Sequence, residues 1–124
     1  MNIYVDACAK GVGIVVGTGE TDLGVPLVDA EEIYYPITSP MTTNQGEYLA
    51  IMLGLFICGS RGITSVTMYS DIELAVNQIN GRYRAKASTV RSLSMMARGM
   101  LKVLNIELKH IKGKDNPADE VSRR

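Results

Sequence analysis

The chain has 124 residues, with thirteen basic and thirteen acidic side chains and a hydrophobic fraction of 46%. This length suits one compact domain, and the balanced charge gives no whole-molecule attraction for nucleic acid, so any basic surface must be local. Cys8 and Cys58 have no C-x-x-C spacing, which argues against a zinc site or a redox pair and favours free, buried thiols in a reducing compartment. Without a visible signal peptide or a run of membrane-spanning length, we expect a soluble, cytoplasmic protein.

The first third of the chain predicts three strands. Residues 2–8 place Ile3, Val5 and Ala7 on one face, and residues 12–16 alternate apolar and small side chains. Residues 18–28 read as a loop, and residues 31–37 form a third strand. Pro36 cannot donate to a strand ladder, so this third strand belongs at an edge. The short connections indicate an antiparallel meander.

The apolar period then changes to that of a helix, which is expected to end at Gly59. A fourth strand follows over residues 65–70, a second helix over 72–79, and a third helix capped by Ser88. A fifth strand covers residues 106–111, and Asn116 and Pro117 open a short last helix.

The predicted order is β-β-β-α-β-α-α-β-α. It implies an α/β fold of mixed α+β character, with a five-stranded mixed sheet covered by helices. The sheet should be antiparallel at the start of the chain and parallel later. Residues 1–124 are predicted to form a single domain.

Four acidic residues occupy special points of this scheme: Asp6 within the first strand, Glu47 in the first turn of the first helix, Asp71 at the end of the fourth strand, and Asp119 in the first turn of the last helix. Strand ends and the following helix starts meet at one edge of a parallel sheet, so the four carboxylates should converge. They would repel one another unless cations joined them. Ligation by oxygen alone selects a hard ion such as Mg²⁺ or Mn²⁺.

Each acid also has a simpler interpretation. Asp6 could be partly exposed near a strand end, and Glu47 could complete a capping box with Asn44. Asp71 could cap the second helix, and Asp119 could complement the dipole of the last helix. Helix-start roles do not explain an acid inside an apolar strand, because an unpaired buried carboxylate is strongly unfavourable. The metal hypothesis accounts for all four together.

Several short motifs resemble ribonuclease H type 1, in the order and at the spacing that this family shows. They are Val5-Asp6 in the first strand, residues 43–48 (TNQGEY) opening the first helix, residues 69–71 (YSD) ending the fourth strand, and residues 116–121 (NPADEV) opening the last helix. The resemblance covers essentially the whole chain and includes the order of strands and helices.

This resemblance implies an endonuclease that cuts the RNA strand of an RNA–DNA hybrid and leaves 3′-hydroxyl and 5′-phosphate ends. By motif, Asp6 would bridge two Mg²⁺ ions, for which Mn²⁺ can substitute, and Asp119 would join it on the ion that activates water. Glu47 and Asp71 would hold the ion beside the leaving oxygen. The reaction is in-line displacement at phosphorus, which needs no side-chain nucleophile.

The same resemblance implies contacts to the hybrid. Asn44, with its neighbour Gln45, would reach a ribose 2′-hydroxyl or a base edge, although Asn44 could instead be a helix cap. The backbone of Ala7, Cys8 and Ala9 would also meet 2′-hydroxyls, which distinguish RNA from DNA. Part of a basic cluster would follow the phosphates, unless it is only a solvated helix face; its members are Arg82, Arg84, Lys86, Arg91, Arg98 and Lys102.

The sequence departs from the family pattern at three places. The loop after the fifth strand lacks the histidine thought to assist product release, and Lys114 stands near that position as a possible weak phosphate contact. His110 precedes the loop and is expected to pack with Ile106 and Leu108. The usual Asp-Gly-Ser after the first strand is Asp6-Ala7-Cys8, and the basic protrusion helix of some members is missing.

Two other classes of function stay open on the sequence. A catalytically weak module that only binds nucleic acid is disfavoured because all four acids are present. Another nuclease of the superfamily, such as a junction resolvase or a proofreading exonuclease, is less well supported. The exonuclease pattern has a second acid at the position of Cys8. Asn44 and its neighbours do not support the resolvase. We expect a monomer that binds a hybrid duplex and no membrane.

Overall fold

A computed structural model describes residues 1–18, 28–39, 41–84 and 88–124 of the chain. The predicted loop over residues 18–28 lies almost entirely outside these ranges, as do Pro40 of the next turn and Lys86 of the basic cluster. The described residues form one five-stranded sheet in the order β3-β2-β1-β4-β5.

The strands are β1 (Asn2–Ala7), β2 (Gly11–Thr18), β3 (Val28–Pro36), β4 (Thr67–Ser70) and β5 (Glu107–His110). β1 pairs antiparallel with β2, and β2 pairs antiparallel with β3. On its other side β1 pairs parallel with β4, and β4 pairs parallel with β5. The predicted mixed sheet is therefore confirmed, and β3, which carries Pro36, is an edge strand.

The helices are α1 (Thr43–Arg61), α2 (Glu73–Ile79), α3 (Ser88–Leu104) and α4 (Ala118–Ser122), with a short 3₁₀ helix at Gly113–Asp115. The order of elements is the predicted one. The predicted end of α1 at Gly59 is wrong, because the helix runs on to Arg61. Gly62 ends it with a backbone φ of +67°, a left-handed conformation that glycine adopts at little cost.

The sheet separates two apolar layers, as the alternation along β1 predicts. Ile3 and Val5 face α1, α2 and α3 in the larger core. Tyr4 faces the opposite way, in a smaller cluster that includes Ala118 and Val121 of α4. The Tyr4 ring stacks on Tyr69 with 5.0 Å between ring centroids. Asp6 shares the Tyr4 face, which is the side that α4 covers.

Close backbone contact explains one glycine in the sheet. A Cβ added to Gly13 of β2 would lie 2.5 Å from both the Ala118 carbonyl oxygen and the Ser122 amide nitrogen. α4 therefore rests directly on β2 at a position where no side chain fits. Among the described residues, we find no helix with the length and apolar character needed to cross a membrane.

Candidate metal centre

The pairing of β1 with β4 sets Asp6 beside Asp71. Val5 is the register partner of Ser70 in this parallel pair. The next residue along each chain segment is an aspartate: Asp6 precedes the last residue of β1, and Asp71 directly follows β4. Neighbouring parallel strands that end at the same level put these two carboxylates side by side.

The docking of α4 brings Asp119 to the same place. Asp6 lies opposite Gly13 in the β1–β2 register, and Gly13 is where α4 rests on the sheet. The buried Asn116 fastens the start of this helix, because its Nδ2 donates to the Val5 carbonyl oxygen at 3.0 Å. Its Oδ1 accepts from the Ala118 amide at 3.1 Å, but the N-cap position of α4 is Pro117, so the prediction of Asn116 as the N-cap with Pro117 as the first helical residue is wrong by one position.

Asp6, Asp71 and Asp119 each offer one carboxylate oxygen to a group whose members all lie within 4.8 Å of one another. Asp6 is 4% exposed, whereas Asp71 and Asp119 are half-buried. Arg123 makes a cationic contact with this group, with its Nη2 2.8 Å from Asp119 Oδ2. A group of oxygens open on one side matches the ligand set of a hard divalent cation.

Glu47 lies beside this group, although it is not one of the three acids within 4.8 Å. It is the fifth residue of α1, so the prediction that it lies in the first turn is wrong. Its side chain is 2% exposed, and its Oε2 has no hydrogen-bond partner among the described residues. A buried carboxylate oxygen without a partner is costly, and a cation would satisfy it.

Electrostatics in the site disfavour four negative charges. Burial and the neighbouring charge of Asp71 raise the pKa of Asp6 to about 8. Burial and the charges of Asp6 and Asp71 raise the pKa of Glu47 to about 9. Burial also raises the pKa of Asp71. Asp6 and Glu47 therefore favour their protonated forms at neutral pH in the absence of metal, and a divalent cation would replace these protons.

Three of the simpler interpretations of the acids are wrong. Asp6 is buried, with 4% of its surface exposed, rather than partly exposed. The N-cap of α1 is Thr42, whose Oγ1 accepts from the Gln45 amide while Gln45 Oε1 accepts from the Thr42 amide. This capping box excludes both Asn44 as the cap and Glu47 as its partner. Asp71 does not cap α2 either, because the N-cap position is Ile72, where no side chain bonds the helix.

The predicted substrate contacts at the start of α1 and the end of β1 differ in exposure. Asn44 is half-buried, and its Oδ1 is buried without a hydrogen-bond partner among the described residues. The exposed Gln45 is engaged in the capping box, so its side chain already has a structural role. Ala7 and Cys8 are half-buried at the end of β1, and Ala9 is exposed.

The prediction of two buried thiols holds for Cys58 but not for Cys8, and both thiols are free.

Arginines from the α2–α3 connection and α3 line a groove of about 470 Å³ that includes Arg82, Arg84 and Arg91. The predicted basic surface is therefore present in part. Arg98 is committed to the fold, because its Nε donates to the Ile79 carbonyl at 2.8 Å and its Nη2 to the Gln78 carbonyl. Lys86 lies outside the described residues.

His110 is exposed, so the prediction that it packs with Ile106 and Leu108 is wrong. Those two residues are buried, but His110 is the last residue of the edge strand β5. Lys114 is also exposed, in the 3₁₀ helix that begins at Gly113. A Cβ on Gly113 would lie 3.5 Å from Asp71 Oδ2, so this turn borders the acidic group.

Two contributors to the site were missed in the sequence. Asn116 was assigned only a capping role, yet it also ties α4 to β1 next to Asp6. Arg123 follows Asp119 by four residues, a spacing that places the two side chains together on a helix. That spacing was the available signal for Arg123, whereas no local signal marks the contact of Asn116 with Val5.

This sheet order, with carboxylates gathered at the carboxyl ends of β1 and β4 and a helix laid across β2, defines a protein of the ribonuclease H-like class. The model of the family described as reverse transcriptase-like matches residues 10–124, so the chain belongs to that family. The resemblance to ribonuclease H type 1 expected from the motifs is confirmed. No curated protein matches the sequence.

Solved structures support this assignment. RNase H1 from the halophilic archaeon Halobacterium salinarum is similar with a TM-score of 0.80 and 22% identity, over 97% of this chain and 92% of that chain. LC11-RNase H1 in complex with an RNA/DNA hybrid gives a TM-score of 0.69 and 25% identity, over 97% and 91%. The N-terminal RNase H domain of rv2228c from Mycobacterium tuberculosis gives 0.69 and 18%, over 98% and 91%.

Proposed function

We propose that the protein is a ribonuclease H, which hydrolyses the RNA strand of RNA–DNA hybrids by in-line phosphodiester cleavage. The observation that carries this proposal is the meeting of Asp6, Asp71 and Asp119 within 4.8 Å at the sheet edge of a ribonuclease H-like fold. The hybrid bound to LC11-RNase H1 supports the choice of substrate. The products would carry 3′-hydroxyl and 5′-phosphate ends.

The acids fit the cofactor that this chemistry needs. Asp6 would help to hold both Mg²⁺ ions, Asp119 would hold the ion that activates water, and Glu47 and Asp71 would hold the ion beside the leaving oxygen. When bound, such ions activate water and neutralise the charge that develops on the phosphate. The unpartnered Glu47 Oε2 and the raised pKa of Asp6 support a site built for cations rather than for protein contacts alone.

The chain's own residues would align the substrate against the acids. Asn44 stands three residues before Glu47 on α1, and its Oδ1, which has no hydrogen-bond partner among the described residues, would accept from a ribose 2′-hydroxyl. The backbone of Ala7, Cys8 and Ala9 borders the same edge of the sheet. The arginine groove formed by Arg82, Arg84 and Arg91 would contact phosphates away from the cut, and Lys114 would do so beside Asp71.

Four labelled substrates test the proposal: an RNA–DNA hybrid, single-stranded RNA, double-stranded DNA and a four-way DNA junction. Each is incubated with Mg²⁺ or Mn²⁺ and with the wild-type protein or a Glu47→Gln control. We expect cleavage of the RNA strand of the hybrid alone, lost with chelator and in the control. Junction cleavage would identify a resolvase, and tight binding without cleavage would identify a binding module.

Three further properties belong to the same proposal. Residues 1–124 act as one ribonuclease H domain and as a monomer. We place the protein in the cytoplasm, which the two free thiols support, because such thiols persist in a reducing compartment. Gel filtration with light scattering checks the monomer, and a dimer would contradict it.

A further inference from the structure

An apolar surface lies on the outer side of α1 and α3. These helices cover the face of the sheet that contains the larger core, and α4 covers the opposite face. Met95 is 69% exposed, Met96 55% and Val103 83%. Together with Gly99 they line a groove of about 440 Å³ against Gly59 of α1. Phe56, three residues before Gly59 on α1, is 57% exposed. We call this surface the α1–α3 groove.

Its residues follow the spacing of a helix-binding face. Met96, Gly99, Met100 and Val103 stand at i, i+3, i+4 and i+7 along α3. Clustered large apolar side chains at such exposure are uncommon on a monomer and mark interaction sites. Since Met100 is only partly buried against the core, the groove continues the packed interior outward.

Two glycines in the groove have no explanation within the described residues. Glycine in the interior of a helix is less stable than alanine, so it normally serves a close contact. Gly13 and Gly54 have such contacts, but a Cβ on Gly59 or Gly99 would meet nothing within 4 Å. The open space over these two glycines would admit the backbone of another helix.

The charges beside the groove decide the chemistry of the occupant. α3 contains Arg91, Arg98 and Lys102 and no acidic residue, and the acid of α1 is the buried Glu47. Arg91 and Lys102 are both exposed. Arg91 stands four residues before Met95 and Lys102 seven residues after it, so both lie along one side of the apolar face of α3. A second copy of this chain would bring the same positive charges together, which disfavours it.

We propose that the α1–α3 groove binds an amphipathic helix of another polypeptide, with its apolar face over Gly59 and Gly99 and acidic residues beside Arg91 and Lys102. In this mode of helix recognition, apolar side chains of the bound helix occupy the groove, and charged side chains set the direction in which the helix lies. The α1–α3 groove contains none of the four acids, although Arg91 beside it also lines the arginine groove proposed to contact phosphates.

The test uses a fluorescent synthetic helix of about 18 residues, with leucine at i, i+3, i+4 and i+7 and glutamate flanking them. The control peptide carries lysine in place of glutamate. We expect saturable binding of the acidic peptide at least tenfold tighter than that of the control, with NMR shifts centred on Gly59 and Gly99. No binding, or equal binding of both peptides, would overturn the proposal.

Two variants sharpen the result. Val103→Glu leaves the fold intact, because the side chain is 83% exposed, and its negative charge should weaken binding of the acidic peptide at least tenfold without changing hybrid cleavage. Gly99→Ala should raise the melting temperature of the free protein and still weaken binding. Tight binding by both variants, or self-association through the groove in sedimentation, would overturn the proposal.

Discussion

Asp6 is the residue on which the acidic group depends. It is the most buried of the three clustered aspartates, and it is coupled by charge to Asp71 and by a side-chain hydrogen bond to Asp119. A carboxylate in such a setting lowers the stability of the metal-free protein at alkaline pH. A bound cation would offset the free-energy cost of burying this carboxylate. Substituting Asp6 should therefore affect activity and stability in opposite directions.

Asp6→Asn should therefore abolish hybrid cleavage while the fold survives. Without metal at about pH 8, the variant should gain about 1–3 kcal/mol of stability, because it removes a buried charge. A cleavage assay with Mg²⁺ and thermal unfolding with chelator measure the two effects. Wild-type cleavage rates in this variant would refute the metal role of Asp6.

Asn116 is predicted to be a positioning residue rather than a metal ligand. Asn116→Ala leaves the buried Val5 carbonyl without its donor and should cost about 1–3 kcal/mol. Because α4 is then less firmly held, Mn²⁺ affinity measured by calorimetry should also fall. The matched control is Asn80→Ala, which removes a similar bond to the Leu108 carbonyl outside the acidic group and should leave Mn²⁺ affinity unchanged. Equal Mn²⁺ affinity in wild type and Asn116→Ala would contradict the role.

At the scale of elements, the site is an assembly of four pieces: the ends of β1 and β4, the second turn of α1, and α4. β1 and β4 are held by pairing with neighbouring strands, and α1 is held by packing against the larger core. α4 has only five residues, so its own helical bonds contribute little, and its position depends on the sheet beneath it.

Gly13→Ala tests that dependence. The new methyl group would overlap the backbone of Ala118 and Ser122, and backbone cannot move aside as a flexible side chain can. We expect a loss of about 1–3 kcal/mol and weaker Mn²⁺ binding, because α4 must lift from β2. Gly59→Ala is the control, since its methyl group meets nothing within 4 Å and should stabilise the protein. If Gly13→Ala matches wild type in both measurements, α4 does not rest on β2 as described.

At the scale of the whole molecule, the raised pKa values couple stability to pH. Asp6 and Glu47 have folded pKa values of about 8 and about 9, against ordinary values of 3.8 and 4.5. Between these limits the folded, metal-free protein binds more protons than the unfolded chain. Its stability is therefore full below about pH 4 with respect to these groups and falls as pH rises toward 9.

Urea unfolding at about pH 5, 7 and 9 should show this decline with chelator present, and Mg²⁺ should stabilise the protein most at the alkaline end. Stability with Mg²⁺ should change less with pH, because cations replace the protons. The double variant Asp6→Asn, Glu47→Gln should lose most of the slope. A metal-free wild type that becomes more stable from pH 5 to 9 would contradict the raised pKa values.

The sequence predicted those features that depend on local periodicity. Alternation along β1 predicted both faces of the strand, and the positions of Asp6 and Asp71 near strand ends predicted a shared edge. Features that depend on distant packing were missed. Asn116 lies 111 positions from Val5, and His110 is exposed because it ends the edge strand β5, which residue spacing does not reveal. The choice between Gly59 and Gly62 as the end of α1 depends on a left-handed backbone, and both glycines permit it.

The register that pairs Val5 of β1 with Ser70 of β4 limits where this chain can tolerate insertions and deletions. Side chains on a strand point alternately to opposite faces, so a slip of a single rung between β1 and β4 would turn one aspartate toward α1. No change of side chain elsewhere could restore the pair. Length changes in the loops before these strands are therefore tolerable, whereas deleting one residue inside either strand should separate the two carboxylates and also turn buried core side chains to the wrong face.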